Sequence, residues 1–188
     1  MPQYSLRLFF FAIAGAAIAS AQTPRTPVDA HARVRYLLHE NLDPAVLAEN
    51  VAIGAVYTYT NSPPEYGPHW DGFGKRVGMI TAEYGVKTVM EVGLGSIWGE
   101  DPRYARTEGQ TLSGRLGHIF KMTFLATNRA GQTMPAYARY LAIPGSSFLS
   151  NQWRPDSEAT LNQAAIRTGL GFLTRMGENA YKEFRPRH

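Results

Sequence analysis

The chain has no cysteine among its 188 residues. That excludes disulfides, thiolate metal ligands, a cysteine nucleophile and a lipid anchor carried on a cysteine. The fold must therefore hold by packing and polar bonding, even in a compartment that permits disulfides. Charge is sparse as well, at 18% of residues, which is too little for a disordered chain when 44% are hydrophobic. Several motifs are missing. There is no His-Glu-x-x-His zinc pattern, no Gly-x-Ser-x-Gly elbow, no phosphate-binding Gly-x-x-x-x-Gly-Lys and no dinucleotide fingerprint. His31 and His39 share a helix face but stand about 12 Å apart along its axis, too far for one metal ion. No metal site and no cofactor are expected.

What is present begins with the first 21 residues. Arg7 is their only charge, residues 8–18 are apolar or small, and Ala19-Ser20-Ala21 closes the segment. A basic start, a short apolar run and an Ala-x-Ala site read as a secretory signal peptide. The run is shorter than the roughly 20 residues that cross a bilayer. Removal of residues 1–21 leaves 167 residues, a single-domain size, and lowers the net charge from +4 to +3. In an exported chain this mild basicity points to anionic lipid or cell-wall polymer rather than nucleic acid.

Residues 22–27, with Pro24 and Pro27, form a stiff lead-in, and residues 28–188 read as one helical domain. Asp29 caps a first helix to about residue 40. Asp43-Pro44 starts a second over residues 45–55, and residues 56–60 are helical or extended. Pro63, Pro64, Gly67 and Pro68 mark residues 61–69 as a loop that divides residues 28–60 from a main body at 70–188. Asp71 is a candidate cap for a long helix over residues 72–97. Further helices are expected at 112–127 and from 156 or 157 to 184. A break is expected at Pro144-Gly145. Residues 112–143 also admit a two-strand reading with a turn at 128–131, as in an outer-membrane barrel.

Within the long helix, Glu83, Lys87 and Glu91 fall within about 60° of Arg76 and form a ladder. Gly74, Gly78, Ala82 and Gly85 lie on the opposite side. A helix-interior glycine costs about 1 kcal/mol relative to alanine, so such a strip implies close approach of another helix or of a partner. Gly169 and its neighbours in the last helix offer a matching surface. The expected fold is mainly α, a compact bundle with Gly- and Ala-lined close helix contacts. On this reading Gly78→Leu is strongly destabilising. In the last helix Leu161, Ala165, Phe172, Leu173, Met176, Ala180 and Phe184 form the apolar stripe.

Two segments carry candidate binding chemistry. Tyr66, Trp70 and Phe73 either form a stacking platform for a sugar or lipid head group, or staple the helix entry onto the core. Arg103 and Arg106 either grip an anion, as paired guanidinium groups do, or bond within the chain. Glu100, Asp101 and His118 are the residues a hydrolase would use, if the fold brought them together.

Trp70, Gly74-Lys75-Arg76-x-Gly78 and Glu100-Asp101-Pro102-Arg103-Tyr104 together resemble uncharacterised exported bacterial proteins. Those proteins carry a Tyr-Gly-Lys-Arg-x-Gly helix, an Asp-Pro-Arg-Tyr element and a C-terminal Glu-Phe, here Glu183-Phe184. The likeness covers residues 70–184. Phe73 stands where the pattern has Tyr, and Ala105 where an aromatic is common. The resemblance implies export and a single domain, and carries no known activity. The expectation is a non-enzymatic protein of the periplasm or cell envelope, with a membrane surface or another envelope protein as partner. A binding module for an amphiphile or glycan is the alternative. The sequence sets no oligomeric state.

Overall fold

The computed structural model describes residues 28–107 and 109–185. The expected signal peptide at 1–21, the lead-in at 22–27 and the tail at 186–188 lie outside the described residues. Six helices dominate: α1 (Ala30–Leu42), α2 (Pro44–Tyr59), α3 (Trp70–Trp98), α4 (Leu112–Phe124), α5 (Tyr137–Leu149) and α6 (Leu161–Phe184). Three short strands form an antiparallel sheet in the order β1 (Glu100–Asp101), β2 (Leu125–Asn128), β3 (Thr133–Pro135). In register, Asp101 opposes Thr127 and Ala126 opposes Met134.

Local chemistry explains most boundaries. The Asp29 carboxylate accepts from the Ala32 amide at 2.7 Å, and Asp43 accepts from Ala45 at 2.8 Å with Pro44 at the first helical position. Each satisfies an orphan donor of a first turn. Thr111 and Thr160 do the same for α4 and α6. Gly99, at φ 71°, closes α3 in the left-handed region. At the β2–β3 turn Asn128 accepts from the Ala130 and Gln132 amides, both at 2.9 Å.

Residues 56–59, left open between helical and extended, continue α2. Four boundaries differ from expectation. α6 begins at Leu161 with Thr160 as its N-cap, not at 156 or 157. His69, not Asp71, is the N-cap of α3, which begins at Trp70. The helix expected at 112–127 ends at Phe124, a short antiparallel hairpin rather than two long barrel strands follows, and α5 begins at Tyr137. Pro144 does not break the chain but lies inside α5. It forfeits one backbone bond, yet Ala142, Ile143, Ser146 and Ser147 are buried around it, so tertiary packing overrides local preference.

Neighbouring helices pack in the order α2–α3–α5–α6–α4, with α1 against α2 and α3. The interior combines apolar residues such as Met79, Val92, Ile119 and Ile143 with many charges: Arg33, Glu40, Arg76, Lys87, Glu91, Arg139, Arg175, Glu178 and Glu183 are all buried. Several helices turn apolar sides outward. Leu47, Ala48, Val51, Ala52, Ala55, Val56 and Tyr59 form the exposed side of α2, and Leu112, Leu116 and Phe120 that of α4. The expected apolar stripe of α6 is turned outward: Leu161 is 75% and Leu173 58% exposed, and only Phe172, Met176 and Ala180 are partly covered. Among the described residues no helix is long and apolar enough to cross a membrane.

The glycine strip is turned outward too. A Cβ built on Gly74, Gly78 or Gly169 meets nothing within 4 Å, and one on Gly85 meets only the Asn41 side chain at 3.5 Å. Ala82 is exposed. The strip is therefore not an internal seam. The close approaches lie at other glycines: a Cβ on Gly54 falls 2.5 Å from the Val77 Cγ2, and one on Gly171 falls 2.7 Å from the Ile143 Cγ2. The expected loss at Gly78 is thereby reversed. Gly78→Ala should raise stability by about 0.5–1 kcal/mol through helix propensity. Gly54→Leu should lower it by about 1–3 kcal/mol, because the larger side chain wedges α2 from α3. Thermal melts of the two variants check this; a Gly78→Ala loss larger than that of Gly54→Leu would restore the internal seam.

Candidate functional site

The charged groups of α3 and α6 meet between the helices. Glu91 Oε1 accepts from Arg139 Nε at 3.1 Å and from Arg175 Nη2 at 3.0 Å. Arg175 Nη1 donates to Glu178 Oε2 at 3.1 Å, and Lys87 Nζ to Glu178 Oε1 at 3.2 Å. Lys87 also lies 3.9 Å from the centre of the Tyr84 ring. Lys182 reaches across to Glu40 of α1 at 2.7 Å. Arg139 Nη1 donates to the Met122 and Thr123 carbonyls, at 2.8 and 2.9 Å, which ties α4 to α5. The expected Glu83–Lys87–Glu91 ladder is thus not a solvated face. Each member bonds to another part of the chain, Glu83 to Arg154 at 2.5 Å.

Burial and charge compete at these carboxylates. Burial pushes the Glu178 pKa up, but Lys87, Arg175 and Lys182 outweigh it and hold the group at about 2. At Glu91 burial is likewise overcome, by Arg175, Arg139 and Lys87, and the pKa stays below the usual carboxylate range. Glu183 is lowered as well, with burial opposed by hydrogen bonds from Thr107, Arg115 and Tyr104. A carboxylate with a depressed folded pKa stabilises the fold above its unfolded value, and the contribution disappears as pH falls through the folded value. Glu100 has the opposite sign, because burial raises its pKa. With three buried acids lowered, the melting temperature should fall as pH drops from about 4.5 towards about 2. Glu178→Gln should flatten that slope. An unchanged melting temperature over this window would remove the linkage.

The aromatic candidates sit at the start of α3. Trp70 is 86% exposed and meets Phe73 edge to face at 5.7 Å. Tyr66 is half-buried and donates to Met79 Sδ at 3.5 Å. Beneath them Arg76 is wholly buried. It donates to the Ser62, Gly67 and Pro63 carbonyls, each at 2.7 Å, and so staples the 61–69 loop to the helix. Gly72 leaves room for that loop, since a Cβ there would lie 2.3 Å from the Tyr66 carbonyl.

The arginine candidates sit beyond the other end of α3. About 40 Å of helix lies between Trp70 and Arg103. Arg103 grips Asp101 with two bonds, at 2.9 and 2.7 Å. Arg106 donates to the Glu183 and Arg185 carbonyls. Thr107 Oγ1 donates to the Glu183 carboxylate at 2.5 Å, and Arg115 pairs with it at 3.2 Å. This arginine segment therefore latches the end of α6. Tyr66, Trp70 and Phe73 do not share a site with Arg103 and Arg106.

The hydrolase candidates have separate engagements. Glu100 Oε1 accepts from the Ala138 amide at 3.0 Å, Asp101 holds Arg103, and His118 Nε2 meets the Ala105 carbonyl at 2.7 Å. Among the described residues no group of three or more His, Asp or Glu is placed to hold a metal ion. An open cleft of about 310 Å³ lies between Trp98, Gly99, Asn128 and Arg129. None of the candidate residues lines it. No protein family, curated protein or solved structure matches this chain.

Sequence reasoning missed the interior cluster. Arg167, Arg175, Glu178 and Lys182 fall within about 80° of one another on α6. That grouping was visible, but a charged stripe ordinarily reads as a solvated one.

Proposed function

We propose that the chain is an exported, non-enzymatic protein of the cell envelope. It works by presenting its outer helix faces to a membrane or to another envelope protein. One observation carries this reading: the helices bury their charges and expose their apolar sides, the reverse of a helix that faces water. Large contiguous apolar surface marks an interaction site. The open side of the glycine strip is consistent with a partner-facing seam. The acids and histidine that hydrolysis would need are occupied in structural bonds, which favours a non-catalytic role. The separation of the aromatic and arginine sets weighs against one amphiphile or glycan site built from both.

Fractionation of an expressing cell tests the proposal. The expected result is a protein lacking residues 1–21, pelleting with the envelope and surviving a high-salt wash. Recovery at full length in the cytoplasm, or as a freely soluble monomer outside it, overturns the proposal. An alkaline carbonate wash of the same pellet then separates shallow from deep attachment.

A further inference from the structure

The geometry points to lipid acyl chains as the surface that covers the exposed apolar sides, an inference that rests on the envelope reading above. Three observations carry it. The first is extent. α2 packs on α1 and α3 and α4 packs on α6, without an extended contact between α2 and α4, yet both expose apolar stripes, and so does α6. A single protein partner seated on Leu47, Val51 and Val56 of α2 leaves Leu116 and Phe120 of α4 in water. A solvent of acyl chains covers both at once.

The second observation is where the exposed charge lies. Among the described residues the exposed charged side chains are Asp29, Arg35, Glu65, Asp71, Lys75, Lys121, Arg129, Asp156 and Arg185. All of these lie in loops, at caps or in the first or last two turns of a helix. The middle of α2, α3, α5 and α6 shows no charge to the outside. A charge left facing hydrocarbon costs several kcal/mol, whereas one at a helix end reaches the head groups.

The third is the interior. Glu91, Arg139, Arg175, Glu178 and Lys87 are paired with one another and buried. Ionisable groups in a protein surrounded by lipid turn inward and pair in this way. In water the same chain gains nothing from the arrangement, because the apolar sides stay wet and the charges are desolvated. An average of hydropathy along any one helix mixes these two sides and conceals the outer one.

The missing cysteine makes the test clean, since one introduced thiol is unique. Val51→Cys, Val89→Cys and Leu170→Cys place a nitroxide on three exposed apolar sides, and Thr133→Cys places one on the hairpin as a water-facing reference. The labelled mature protein is mixed with phosphatidylcholine vesicles in high salt, floated, and probed with oxygen and with a water-soluble nickel chelate. The expected result is flotation, with oxygen collisions rising and nickel collisions falling severalfold at 51, 89 and 170 but not at 133. Failure to float overturns the inference. So does flotation with nickel access unchanged at the three sites. Loss of access to both probes, with spin–spin broadening between copies, overturns lipid and assigns the face to a second copy. That last result leaves the envelope reading standing, whereas a soluble monomer with wet labels removes both.

Discussion

Glu91→Gln should lower stability by about 3–5 kcal/mol, because Arg139 and Arg175 would keep two buried charges with one fewer carboxylate between them. The cost comes from the abandoned partners and not from the strength of the original pairs. The triple variant Glu91→Leu/Arg139→Met/Arg175→Met should therefore be less damaging than the single change, since apolar groups of similar volume often replace a whole buried cluster at little cost. Recovery stays partial, because the Met122 and Thr123 carbonyls lose the Arg139 donor. Equilibrium unfolding of both variants measures this. If Glu91→Gln melts like the parent, the cluster is not desolvated.

Arg76→Met should cost on the order of 4 kcal/mol and open the 61–69 loop to proteolysis. Three carbonyls lose a charged donor together, and each buried acceptor left without a partner costs about 1–3 kcal/mol, less where water reaches it. Arg76→Lys should recover little, because one ammonium cannot copy the forked donors that reach three oxygens at once. The decisive comparison is the cutting rate within residues 61–69. A loop that stays protected in Arg76→Met is held by something other than this arginine.

Much of the backbone was legible because its signals are local. Asp29, Asp43-Pro44, the proline-rich 61–69 segment and Asn128–Gly131 each determine a boundary through contacts a few residues away. The Pro144 error came from the other source of structure: the helix around it is held by α3, which no local pattern announces. The largest error concerned which side faces in. On α3 and α6 the period of 3.6 sorted residues correctly into two sides, but a period carries no sign. Assigning the apolar side to the interior followed the ordinary rule for a surface helix. For the same reason Leu161, Leu173, Gly74 and Gly78 read as packing residues. Of the two readings of the arginine segment, the structure shows the bonds within the chain, but the counterpart of Arg106, Glu183, lies 77 residues beyond it and only the fold could pair them.

The position of that counterpart governs the order in which the molecule can be finished. Glu183 is wholly buried and is gripped by Thr107 and Arg115, while Lys182 beside it closes on Glu40 of the first helix. The first and last helices thus seal the same interior. A nascent chain emerging amino end first holds Glu40 and the 103–115 segment without their partners until α6 has been made. Closure of this interior therefore waits on α6.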